Sequence, residues 1–190
     1  MTDQENAFPQ ANSRVAIENV TPEIDGGHFA LKRSVGDRVT VEADIFADGH
    51  DVLSAVLKFR RDASTDWQEI PMTFVANDRW RGEFAVTETG IYLYTIEAWA
   101  DHFQSWRRDL KKRLDAGQKV SVDLLVGAEL AEAAAKKAND ADAAQLRNWA
   151  GELRGEKKIA AERALDSQMA GLMARYPDRR IATVYPKELR

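Results

Sequence analysis

Side chains able to do chemistry are plentiful in this 190-residue chain, but few are spaced to cooperate. His28, His50 and His102 each have an acidic neighbour in sequence: Asp25, Asp48 with Asp51, and Asp101. A metal site needs several such ligands to converge. None of the three histidines has helical i, i+4 or His-x-His spacing, and His50 sits in a turn. They read as solvated loop residues, and no metal is expected. The chain has no cysteine, which excludes a disulfide scaffold and a thiolate zinc site. It has no Gly-x-Ser-x-Gly elbow, Walker loop or Gly-x-Gly-x-x-Gly fingerprint, and Gly26-Gly27 is a turn signal. No cofactor is expected. Two carboxylates flanking a sugar can cleave a glycosidic bond. However, Glu42, Asp44, Glu69, Glu83 and Glu97 fall at alternating strand positions, where a solvated face is the ordinary reading. No catalytic residue is assigned.

The five tryptophans offer binding rather than reaction chemistry. An indole ring can stack on the C–H face of a sugar; the competing reading for each is packing in a core or an interface. Trp80 and Trp99 are the candidate carbohydrate-binding residues. Trp99 is expected to be the more open, because Tyr92, Tyr94 and Ile96 claim the opposite face of its strand. Trp106-Arg107-Arg108-Asp109 joins an aromatic anchor to two guanidinium forks. That composition is enriched where protein surfaces meet, so Trp106, Arg107 and Arg108 are candidate interface residues. A salt-bridge cluster at a helix start is the alternative.

Charge narrows the partners. With a net charge of −4 and a pI of about 5.5, neither nucleic acid nor an anionic membrane is an expected partner. No apolar run approaches the roughly 20 residues that cross a bilayer. Residues 1–13 are polar and lack the regions of a signal peptide, so a loose tail and a cytoplasmic setting are expected.

Positioning these residues falls to two kinds of element. Val15 to Val20 suggests an edge strand stopped near Pro22, since proline lacks the donor a central position needs. Phe29 to Lys32 suggests a second short strand. Val39, Val41, Ala43 and Ile45 alternate with Thr40, Glu42 and Asp44, as a strand with one buried face requires. Further strands are expected over 52–60 and 79–86, with one or two short strands over 67–74 around Pro71. Tyr92 to Trp99 alternates as a central strand, with Gly90 turning the chain into it. About seven short strands separated by turn signals predict an antiparallel β-sandwich. Tyr92 or Tyr94 could supply the tyrosine corner of immunoglobulin-like folds, with plain core packing as the alternative.

After Trp106 the period becomes helical. Asp109–Ala116 reads as a short helix ended at Gly117. A second helix runs from Ser121 or Asp123 to about Ala138, and a third, with Asp140 as its cap, through Leu153. A fourth extends from about Glu156 to Arg175, where Pro177-Asp178 stops it. This bundle is rich in alanine and marginal alone, since each buried methylene contributes only about 0.8 kcal/mol. Docking on the sandwich or on a partner would complete it. Residues 181–185 and 188–189 read as strand again, and the protein is expected to continue beyond them. The expected class is therefore α+β: an immunoglobulin-like antiparallel β-sandwich with an inserted small α-helical bundle. Its expected organisation is a tail at 1–13, a sandwich at 14–106, a helical insertion at 107–178 and a return to the sandwich at 179–190.

Six segments, taken in order, resemble one family. They are Arg14-Val-Ala-Ile-Glu-Asn-Val-Thr-Pro22, Val41-Glu-Ala-Asp-Ile-Phe-Ala-Asp-Gly-His-Asp51 and Asp78-Arg-Trp-Arg-Gly-Glu-Phe84, followed by Glu97-Ala-Trp-Ala-Asp-His-Phe-Gln-Ser-Trp-Arg-Arg-Asp-Leu110, Leu114-Asp-Ala-Gly-Gln118 and Asp123-Leu-Leu-Val-Gly127. Together they are similar to the N-terminal region of the bacterial alpha-1,4-glucan:maltose-1-phosphate maltosyltransferases of the alpha-amylase superfamily (glycoside hydrolase family 13). Trp-Arg-Arg and Asp-Ala-Gly-Gln are the most specific pieces. The resemblance implies a sandwich carrying a helical insertion, ahead of a catalytic (β/α)8 barrel. It further implies transfer of maltosyl units from maltose 1-phosphate to α-glucan ends with retention, by a nucleophile and a general acid on the barrel. Neither catalytic carboxyl is carried over to this chain. The implied role is a non-catalytic module that supports the barrel and a homodimer contact, with α-glucan binding as the alternative.

Overall fold

The computed structural model of the chain describes residues 15–190, so the tail expected over 1–13 lies outside them. The chain divides into two compact units. One comprises the residues up to Gly49, Leu53–Ala100 and Arg180–Arg190; the other comprises His50–Val52 and Asp101–Arg179.

The first unit is a sandwich of two four-stranded antiparallel sheets. One sheet holds β1 (Val15–Thr21), β2 (Arg38–Ala47), β6 (Arg79–Ala85) and β5 (Thr73–Ala76), in that spatial order. The other orders β4 (Gln68–Pro71), β3 (Leu53–Arg61), β7 (Tyr92–Ala100) and β8 (Thr183–Val184). Strands that alternate between sheets in this way follow the immunoglobulin arrangement. Val39, Val41, Ala43 and Ile45 of β2 face inward against Leu57, Phe59, Tyr94 and Ile96 of the second sheet, as period-two alternation requires. Gly82 of β6 lies where the sheets approach closely; a Cβ there would stand 3.0 Å from that of Leu57.

β7 begins with a tyrosine corner. The Tyr92 hydroxyl accepts from the backbone N–H groups of Thr87 (3.2 Å) and Glu88 (3.1 Å). The Tyr94 hydroxyl instead donates to the Pro22 carbonyl at 2.6 Å, and burial pushes its pKa up to about 12. The segment expected as a strand at Phe29 to Lys32 forms none: Phe29 makes a single bridge to Ile24, and the Leu31 N–H donates to the Arg190 carbonyl. The chain's return is short. β8 pairs with β7, and Leu189 and Tyr94 bridge by two backbone bonds of 2.9 Å.

Between β7 and β8 lie five helices: α1 (His102–Asp115), α2 (Ser121–Ala135), α3 (Asp140–Leu153), α4 (Lys157–Ala164) and α5 (Ser167–Arg175). Residues 102–106, read from sequence as part of the sandwich, are the first turns of α1. The Asp101 carboxylate caps that helix by accepting from the Gln104 N–H, which starts it at His102 instead of Asp109. Its other end is a Schellman motif: the Gly117 N–H donates to the Leu114 carbonyl and the Gln118 N–H to the Arg113 carbonyl, with Gly117 at φ +67°. The single fourth helix expected over 156–175 is two helices. Asp166 caps α5 by accepting from the Gln168 N–H at 2.6 Å, and so ends the run. The cap of α3 is Asn139 rather than Asp140. Leu110, Leu124, Leu146, Trp149, Leu153 and Met169 centre the helical core, with alanines 128, 131, 150, 160 and 164 as close-packed spacers. Among the described residues, no helix is long and apolar enough to cross a membrane.

Candidate functional site

The strand carboxylates stand on the outer face of the first sheet, where arginines answer them. Arg79 reaches Glu42 at 3.3 Å, Asp44 at 3.0 Å, the Asn19 carbonyl at 2.9 Å and the Thr21 hydroxyl at 2.7 Å. A bulge in β1 makes this possible: the register shifts between Glu18 and Thr21, and Asn19 adopts φ +49°. Arg81 takes the other oxygen of Glu42 at 2.6 Å, while Arg38 and the Thr40 hydroxyl hold Glu83. The Arg81 bond leads in holding the Glu42 carboxyl below the usual range, and the Asn19 amide leads in lowering Asp44. Arg38 does the same for Glu83. A general acid working near neutral pH needs its pKa raised, so this face is tuned in the opposite direction. Glu97 departs from the expected solvated face: it is buried and pairs with Lys58 at 3.0 Å.

The three histidines are exposed, and among the described residues no group of three His, Cys, Asp or Glu side chains is gathered to hold a metal ion.

The tryptophans take four kinds of place. Trp99, expected on an open face, is only 5% exposed. β7 is covered on both faces, since Leu93, Thr95 and Glu97 on the same side are buried too, so Trp99 presents no ring to a sugar. Trp149 is equally buried, with the Arg163 guanidinium 5.2 Å from its ring. Trp67 has its ring taken by Arg60, 4.8 Å away. Trp80 is half-buried at the margin of the sandwich core, edge-on to Phe74 with ring centroids 5.7 Å apart. Phe74 is 53% exposed on the edge strand β5, and the pair forms an open aromatic surface at the margin of this unit. Phe74 escaped notice in the sequence because nothing there shows which strand pairs with β6.

Trp106 is half-buried and packs within the helical unit. Its indole N–H donates to the Asp123 carbonyl at 2.6 Å, and its ring lies against Phe103 and over Gly127 of α2. Arg113 reaches the Asp123 carboxylate at 2.5 Å. The Trp-Arg-Arg and Asp-Leu-Leu-Val-Gly segments therefore meet as one clamp between α1 and α2. Arg107 and Arg108 remain on the α1 surface, where Arg108 pairs with Asp109 at 2.9 Å and Arg107 donates to the Leu165 carbonyl at 2.6 Å. Gln104 and Lys111 share their helical face. The i, i+3, i+4, i+7 spacing of the four was open to view, but only for a helix begun at His102.

The chain is similar to known proteins along nearly its whole length. A family model described as alpha-1,4-glucan:maltose-1-phosphate maltosyltransferase, domain N/S, matches residues 13–190. The alpha-1,4-glucan:maltose-1-phosphate maltosyltransferase of Chlorobaculum tepidum is 48% identical over 177 residues, covering 93% of this chain and 26% of that protein. The protein of the same name from Myxococcus xanthus is 46% identical over 186 residues, covering 92% of this chain and 28% of its own length. That from Methylacidiphilum infernorum is 33% identical over 172 residues. The chain thus spans about a quarter of the length of the curated relatives it matches. It belongs to the alpha-1,4-glucan:maltose-1-phosphate maltosyltransferase family, of which it carries the N/S domain.

Proposed function

We propose that the chain is the non-catalytic N-terminal module of a cytoplasmic enzyme that extends α-1,4-glucans from maltose 1-phosphate. The enzyme is a retaining glycosyltransferase of the alpha-amylase superfamily, and its catalytic carboxyls lie on a barrel outside this chain. The observation that carries the reading is the match of a domain N/S model to nearly the whole chain, which equals only a quarter of the relatives' length. The arginine-bound acids of the sandwich support it, because each is held ionised and none is poised to protonate a leaving group. The module supports the barrel and a homodimer interface. An exposed apolar face on α2, formed by Val122, Leu125 and Val126, favours the second role.

The direct test is phosphate release from maltose 1-phosphate with glycogen as acceptor. The 190-residue chain is expected to release none; release above background would overturn the reading. A second function is favoured by the open Phe74 beside Trp80: α-glucan held at the margin of the sandwich. Calorimetric titration with maltohexaose decides it. Heat that disappears in Trp80→Ala supports a glucan platform, and no heat at millimolar oligosaccharide leaves the scaffold role alone.

A further inference from the structure

One face of α1 gathers cations round a hollow. Gln104, Arg107, Arg108 and Lys111 recur at i, i+3, i+4 and i+7 and so project from one side of the helix. With Val52 and Leu165 they line a groove of about 420 Å³. That lies within the roughly 300–1,000 Å³ usual for small-ligand sites. The lining carries three cations and no carboxylate. Carboxylates stand nearby: Asp109 pairs with Arg108, Asp115 with Lys111 at 2.8 Å, and Asp51 acts on Arg108 through space. Both of those ion pairs are open to water, where such pairs hold weakly and yield readily to a competing anion.

Arg107 is the fixed point. It has no carboxylate partner among the described residues. Its guanidinium donates once, to the Leu165 carbonyl in the turn between α4 and α5, and its Nε is shielded from water without an acceptor. A guanidinium held at one corner, with donors still to spend, is arranged before any ligand arrives, which lowers the entropy lost on binding. Arginine forks match the oxygens of phosphate bidentately, and a lysine adds a compact charge. One carboxylate would occupy one fork, whereas a tetrahedral dianion can engage all three cations.

We propose that this groove binds a phosphate monoester, with Arg107 and Arg108 as the forks, Lys111 as the third charge and Gln104 as the polar neighbour for what the phosphate carries. The proposal stands apart from the maltosyltransferase reading, since it uses only the geometry of α1 and the turn at Leu165. The probes are inorganic phosphate, glucose 1-phosphate and, as the uncharged control, glucose. Each is titrated into the 190-residue chain and followed by calorimetry and by backbone amide shifts of residues 104–111. Saturable binding of the phosphates, absent with glucose, is expected. The variant Arg108→Gln/Lys111→Gln leaves the Arg107–Leu165 bond intact and should weaken binding by at least about tenfold, with circular dichroism and thermal unfolding unchanged. Tighter binding of glucose 1-phosphate than of inorganic phosphate makes the sugar ester the ligand; equal binding makes it the free anion. Failure of both to bind, or equal binding to the double variant, overturns the proposal.

Discussion

Arg79 shows how much of the first sheet depends on one side chain. Its guanidinium ties β6 to Glu42 and Asp44 of β2 and to Asn19 and Thr21 of β1. Hydrogen bonds to charged groups contribute more than neutral ones, but this face is partly open to water, which discounts each pair. We therefore expect Arg79→Met, which keeps an apolar stem, to destabilise the chain by about 2 kcal/mol in urea unfolding at pH 7. The pH dependence identifies the origin of the loss. Glu42 and Asp44 are held below their unfolded pKa values by Arg81 and Asn19 first, and by Arg79 next. A carboxylate with a lowered folded pKa contributes stability that is complete above its unfolded value and is lost as pH falls through its folded value. The gap between the parent chain and Arg79→Met should accordingly close as pH falls from about 5 to about 2. A gap that stays constant over that range would mean that the stem packs and the charges contribute little. The same residue scale explains why Trp99 misleads. Alternation assigns it correctly to the face opposite Tyr94, but whether that face is covered depends on residues distant in sequence.

At the scale of elements, the clamp between α1 and α2 rests on the absence of a side chain. A Cβ on Gly127 would stand 2.1–2.7 Å from three indole ring carbons of Trp106, so this close contact of the two helices requires glycine here. Replacing a mid-helix glycine with alanine ordinarily stabilises by about 1 kcal/mol. Here the overlap with a ring fixed by its bond to the Asp123 carbonyl should outweigh that gain. Gly127→Ala is expected to destabilise the helical unit by about 1–3 kcal/mol, the usual range for an overpacked site. Gly171→Ala in α5, where nothing lies within 4 Å of the added carbon, should stabilise by about 0.5–1 kcal/mol. Thermal unfolding of the two variants separates steric overlap from propensity, and equal shifts would remove the clamp from the account. The elements themselves were unevenly legible. β2 and β7 announce themselves because period two is a local signal, and the Gly117 cap is local as well. The break at Asp166 was hidden because apolar residues continue in helical period across it, from Ala164 to Met169, so its capping carboxylate read as one more exposed acid. The start of α1 was hidden for a related reason: Asp101 follows a strand directly, and no loop marks the change of period.

For the whole molecule, the question is what covers α2. Its inward face, Leu124, Ala128, Ala131 and Ala135, fills the helical core. Its outward face carries Val122, Leu125 and Val126, which are 74%, 47% and 43% exposed. A helix apolar on both sides is ordinarily buried on both. Eight of the eighteen described residues buried in the core beneath it are alanine, so it gains less from burial than a core of larger side chains would. A second copy of the same chain would cover this face with its own, since a two-fold contact sets one patch against itself. Light scattering of the chain across a concentration series should therefore show a monomer–dimer equilibrium. Val122→Glu would place two carboxylates against one another near the two-fold axis and should raise the dissociation constant by at least about tenfold, equivalent to 1.4 kcal/mol or more. Val122 makes no core contact, so the circular dichroism and low-concentration melting of this variant should match those of the parent chain. A dimer that forms equally well in the Val122→Glu variant would place the contact elsewhere on the molecule. A chain that stays monomeric at every concentration would instead assign this face to the rest of the enzyme proposed above. In that case Val122→Glu in the longer enzyme should lower its melting temperature while leaving its oligomeric state unchanged.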